Sequence, residues 1–192
     1  LTISNAKASK KLREGRLLVP ALILALAAAA APRDGLPAGA REPMTDRCHM
    51  GECGWFAEIG RDTVRETEAG RLIRMRLYGG RSAVDEGEDY EASWGPDARV
   101  EWNAEPHQVW IFCSTRLPAV MVRTGAGLQA DVLNFVDGTP PVLESARRLY
   151  VYACHGREGD EIENFAAHFG YRAPPVEELA LARPEDIFDR LP

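Results

Sequence analysis

The 192-residue chain is long enough for one core-forming domain with a leader and a tail, and 45% hydrophobic residues can supply that core. Six of the 23 lysines and arginines but only two of the 29 acids lie in the first forty residues, which leaves 17 arginines against 27 acids in residues 41–192. So acidic a surface repels phosphate backbones and anionic lipid; it excludes nucleic acid as an expected partner and favours a cationic one.

In chain order, residues 1–40 read as a signal peptide and the start of a linker. A basic segment ends at Arg16 and an uncharged run follows from Leu17 to Ala31. That run is shorter than the ~20 residues a membrane span needs but fits the apolar region of an export signal. Small residues spaced for cleavage stand at Ala28 and Ala30 and again at Ala38 and Ala40. Export to the periplasm or beyond is expected, with no stable membrane span after the leader is removed. The alternative is a start at Met44, the first methionine, which would keep the protein in the cytosol.

Pro32 to Met44 is a linker by its Pro, Gly and Ala content. Trp55–Ile59 and Thr63–Thr67, separated by Gly60, are short runs rich in aromatic and β-branched residues, and Arg71–Tyr78 alternates strictly between apolar and polar. These are strands, joined by a hairpin loop at 68–71 where Gly70 can take positive φ; Gly79-Gly80 is expected to end the second. Residues 81–105 are polar and acidic and read as a long loop. Gln108–Cys113 and Ala119–Arg123 are two further strands, while Leu128–Phe135 fits strand and helix equally. At Thr139 the period changes. Thr139 as cap, Pro140 in the first turn and apolar residues at three- and four-residue spacing predict an amphipathic helix that runs to Gly156. A short helix over Glu161–Phe169, capped by Asp160, and two weaker helical pieces over Glu177–Ala182 and Pro184–Leu191 complete the chain.

The expected fold is α+β: an antiparallel sheet or meander, an amphipathic helix packed on it and a short helical C-terminal tail, stabilised by disulfides. Residues 41–157 form the disulfide-framed core domain, and residues 158–192 its helical extension.

Cys48, Cys53, Cys113 and Cys154 in an exported chain are most simply two disulfides, which can pair in three ways. A local Cys48–Cys53 bridge is feasible because Gly51 permits a tight turn. The crossed arrangement, tying Cys48 and Cys53 to Cys113 and Cys154, is preferred because long closures restrict the unfolded chain more. The rival use of the same residues is a zinc site drawn from Cys48, His49, Cys53, Cys154 and His155, but the spacing is loose and oxidation would consume the thiolates. Neither a metal nor a cofactor is expected. Gly125-Ala-Gly127 matches a dinucleotide pattern, yet Pro140-Pro141 interrupts too soon for a helix of the required length.

No Gly-x-Ser-x-Gly elbow or placed nucleophile and base can be found, so no catalytic residue is assigned. The candidate binding residues are instead Asp85, Glu86, Glu88, Asp89, Tyr90, Trp94 and Trp102, since aromatic rings among carboxylates can take up arginine and lysine side chains or stack on sugars. The sequence therefore points to an exported binding protein that contacts a basic protein or a glycan through this acidic aromatic loop. The alternative is an envelope hydrolase whose site leaves no sequence signature.

Overall fold

The computed structural model describes residues 35–83, 98–156 and 162–191. The leader, residues 84–97 of the acidic stretch and the Asp160 cap lie outside them. No helix among the described residues is long and apolar enough to cross a membrane.

Among the described residues, eight strands form one antiparallel sheet: β1 (Met44–His49), β2 (Glu52–Thr67), β3 (Gly70–Ala83), β4 (Glu101–Trp102), β5 (His107–Cys113), β6 (Ala119–Thr124), β7 (Gly127–Val132) and β8 (Glu178–Leu181). Their order is β1-β2-β3-β5-β6-β7-β8, and β4 pairs with the far end of β3, in line with β5. β2 merges the two runs expected around Gly60. Its register slips between Glu58 and Gly60 and again between Thr63 and Arg65, so each bulge inserts a residue and resets which face the following side chains occupy. That is why the run shows no unbroken alternation.

β3 also outruns its expected end. Gly79 and Gly80 stay in the ladder opposite Phe56 and Trp55, because strand pairing needs only backbone groups. A Cβ on Gly80 would lie 2.6 Å from Val100 Cγ1 and 2.8 Å from Trp102 Cε3, so glycine serves here to let β4 and its tryptophan approach.

One face of the sheet is covered by α1 (Glu144–His155), which packs Tyr150, Tyr152 and Ala153 on Phe56, Ile73, Met75, Val109 and Ile111, and by the short helix α2 (Phe165–Phe169), whose Phe165 and Phe169 pack against the same cluster. α1 starts later than expected. Thr139 donates to the Asn134 carbonyl instead of capping, and a single 3₁₀ turn, Pro141–Leu143, leads into the helix. Glu144 then sits in the first turn, favourable to the helix dipole, and binds both Arg147 and Arg148 one turn on. Gly156, at φ 86°, ends the helix. Four consecutive residues, Tyr150 to Ala153, are buried, whereas residues 144–149 are only half-buried. The helix is therefore seated firmly at its C-terminal end.

The other face buries Leu72, Trp110, Phe112, Met121 and Leu128 beneath the C-terminal segment. Here the tail departs from expectation. Residues 178–181 are strand β8, paired with β7, and not helix; only Pro184–Arg190 is helical, as a 3₁₀ segment. Four residues are too few for the helical period to be read, whereas Leu179 and Leu181 fit the period of two. Ile187 of the 3₁₀ segment is fully buried, a contact that stabilises by about 1.5–3 kcal/mol.

Both disulfides form, but not in the crossed arrangement: Cys48 pairs with Cys53, and Cys113 with Cys154. The local pair follows from the β1–β2 hairpin. Met50 and Gly51 take φ 52° and 80° as a two-residue turn, which sets His49 opposite Glu52 and Cys48 opposite Cys53 with their Cα atoms 4.0 Å apart. The loop-entropy preference considered only the unfolded chain; hairpin register decides the pairing in the folded one. Two disulfides fit a protein of an oxidising compartment outside the cytoplasm.

Candidate functional site

Because α1 is held at its C-terminal end and stands over the sheet at the other, a cleft of about 270 Å³ opens between its N-terminal half and the strands. Val142, Leu143, Ala146 and Leu149 form the helix side; Phe56, Leu77, Val109, Val120 and Val122 form the floor. Val142 is 75% exposed at the rim. Cavities that hold small ligands are of this character, apolar with a few placed polar groups, and this one lies just below the usual ~300–1,000 Å³.

Four polar side chains line the cleft: Asp46, His107, Asp131 and Ser145. Asp46 lies where β1 carries an extra residue, between the Thr45–Trp55 and Cys48–Cys53 pairs, and the bulge turns its carboxylate inward. Gly54 makes room for it, since a Cβ there would come 3.1 Å from Asp46 Oδ2. The carboxylate bonds to Ser145, yet its Oδ1 is shut off from solvent without a hydrogen-bond partner. Burial pushes the Asp46 carboxyl above the usual range against the opposing influence of Ser145 and Arg148. Burial also raises Asp131, assisted by the negative charge of Glu178, and lowers His107, which favours a neutral imidazole. No lysine or arginine is among the described residues that line the cleft.

Two further sets of buried polar groups are bonded among themselves. Tyr150 donates to the Ser114 carbonyl and accepts from the Ser114 amide and the Tyr171 hydroxyl. Tyr171 has then spent its proton, so His155 Nε2, 2.6 Å away, must donate to it; burial, with the nearby His168, lowers the His155 pKa and burial pushes Tyr171 up to about 12. Beside the Cys113–Cys154 bridge, this chain of bonds locks the end of α1 to the segment that follows it. Across the sheet, the Glu58 side chain is fully enclosed and bonded to Arg61 and Tyr152, while the Arg61 guanidinium lies 4.8 Å over the Tyr152 ring. Burial alone would raise Glu58, but these two partners and the positive charges of Arg61 and Arg41 hold it below its ordinary value.

The residues singled out in the sequence fall elsewhere. Asp85, Glu86, Glu88, Asp89, Tyr90 and Trp94 lie outside the described residues. Trp102 is half-buried on Gly80, beside Cys53 and Trp55, so packing occupies much of its ring. The alternative zinc set does not assemble: its three cysteines are spent in two disulfides, the His49–Glu52 pair lies at the hairpin tip, and His155 is bonded to Tyr171. Of the four polar cleft residues, Asp131 lies in the Leu128–Phe135 run that fits strand and helix equally, and it becomes the polar partner of Leu128, Ala130 and Val132 only once that run is known to be strand. Asp46 left no readable trace, because a bulge is invisible in a six-residue strand. No known protein family, curated protein or solved structure matches this chain.

Proposed function

We propose that this chain is an exported, disulfide-stabilised binding protein without catalytic chemistry of its own, and that it holds a small ligand with an apolar body in the cleft beneath α1. The cleft itself carries the reading: six strands and α1 converge on an apolar hollow with polar groups at few points, in a domain where the buried Glu58, Tyr150 and Tyr152 side chains are committed to internal bonds. All four cysteines are in disulfides, so a thiol nucleophile has no candidate. The acidic aromatic stretch from Asp85 to Trp102 is a second contact in this proposal, for a basic protein partner, favoured by the 27 acids against 17 arginines of residues 41–192.

The test is saturable binding of a neutral apolar dye such as Nile red. Ala146→Trp should fill the cleft and Val142→Trp should block its mouth, each abolishing binding while the circular dichroism spectrum stays unchanged. Val142 is exposed, so that variant cannot fail by disturbing the core. Non-saturable binding, or binding equal in all three proteins, would refute the assignment.

A further inference from the structure

Beyond the end of β1, the rim of the sheet is β2 itself. β1 pairs with β2 only as far as Met44 opposite Phe56, and the Arg41 amide then donates to the Glu58 carbonyl. From there to Thr67 the outer edge of β2 bonds to no backbone group among the described residues. We infer that residues 61–66 of this edge pair antiparallel with the same residues of a second copy of the chain, about a two-fold axis, so that the sheet continues from one protomer into the other.

The occupant follows from the order of charges in Arg61-Asp-Thr-Val-Arg-Glu66. Turned end for end, the series exchanges its signs. A two-fold pairing centred between Thr63 and Val64 therefore sets each Asp62 opposite Arg65 of the second copy and each Arg61 opposite Glu66 of the second copy. Slipping the register by one residue opposes Asp62 to Glu66 or Arg61 to Arg65, like charges in both cases.

Opposed residues must also share a face of the sheet, and in a regular strand positions three apart do not. The bulge in β2 meets this condition. Asp62 pairs with Arg74 and Arg65 with Leu72, two residues apart on β3, so the residue inserted between Thr63 and Arg65 leaves Asp62 and Arg65 on one face. Arg61 and Glu66, paired with Met75 and Arg71, share the other face by the same count. Asp62 and Arg65 are exposed, and contacts within their own chain hold them at the edge: Asp62 accepts from Arg74, and the Arg65 guanidinium lies 4.4 Å over the Phe188 ring. Arg61 is already bonded to Glu58, so the contacts between positions 62 and 65 select the partner.

Sedimentation of the purified protein at low salt and neutral pH should give a monomer–dimer equilibrium that shifts toward monomer as salt is raised. Asp62→Arg and Arg65→Asp each oppose like charges in both contacts between positions 62 and 65, and each should weaken the dimer about tenfold or more. Both residues are exposed, so the circular dichroism spectrum should stay unchanged. In an equimolar mixture of the two variants every such contact again joins opposite charges, and the dimer should return. In the unaltered protein, amide exchange over residues 61–66 should slow as concentration rises, a readout that needs no variant. Val142→Trp, at the mouth of the cleft, should leave the dimer as it is, because this edge and the cleft are separate assignments. A monomer at up to about 0.5 mM, variants that dimerise like the parent, a mixture no more associated than its components, or a dimer that Val142→Trp dissolves would each overturn the inference.

Discussion

The Cys113–Cys154 bridge should matter more to stability than Cys48–Cys53, by an amount that follows from where each closes the chain. The first joins residues 41 apart and the second residues 5 apart. In the chain-entropy treatment, restricting the unfolded ensemble by these closures is worth about 4 and about 2 kcal/mol respectively. Cys113→Ala with Cys154→Ala therefore removes about 2 kcal/mol more than Cys48→Ala with Cys53→Ala. The former is a large share of the 5–15 kcal/mol typical of a domain. Urea titration of the two double variants measures the difference; the slope against urea should also steepen more for the long closure, because the unlinked chain exposes more surface. Equal losses, or a larger loss at the hairpin, would show that native-state packing around the sulfurs outweighs the constraint on the unfolded chain.

Glu58→Ala removes the carboxylate that the Arg61 guanidinium and the Tyr152 hydroxyl bond to, leaving Arg61 its bond to the Ala153 carbonyl, and should cost about 3–5 kcal/mol, read as a fall in urea midpoint. Since folding holds Glu58 below its ordinary value, its contribution is present above about pH 4.5 and is lost as the pH falls through the lower folded value; the variant's stability should therefore change less in that window than the parent's. Gly80→Ala drives a methyl group into Val100 and Trp102 and should cost about 1–3 kcal/mol with a change in tryptophan fluorescence, whereas Gly125→Ala, with open space around it, should leave both unchanged.

The elements that could be read from the sequence are those in which one local period governs several turns or pairs. β3 alternates because one of its faces meets α1, and α1 keeps helical spacing up to Gly156. What could not be read depends on contacts between distant segments. Gly79-Gly80 resembles a strand end until Trp102 is known to lie over it, and residues 178–181 become strand because β7 offers an edge. The disulfide pairing turned on a two-residue turn at Met50-Gly51, a feature recognised in the sequence but outweighed there by loop length. The cleft is the least legible feature, since its walls come from β1, β2, β3, β5, β6, β7 and the start of α1, and none of these carries a motif.

A sheet that runs from β1 to β8 without closing has two rims, and exposed rims can template pairing with other chains. Its two end strands are poor templates. β1 has six residues, is kinked by its bulge and is tied into a hairpin by Cys48–Cys53; β8 has four, bears Glu178, and lies between Pro175 and Pro184, neither of which can donate to a ladder. The bulge that turns Asp46 into the cleft therefore also shortens the straight length of strand that a neighbouring molecule could copy. Straightening it would withdraw the Asp46 carboxylate from the cleft and, in the same step, lengthen the edge open to pairing.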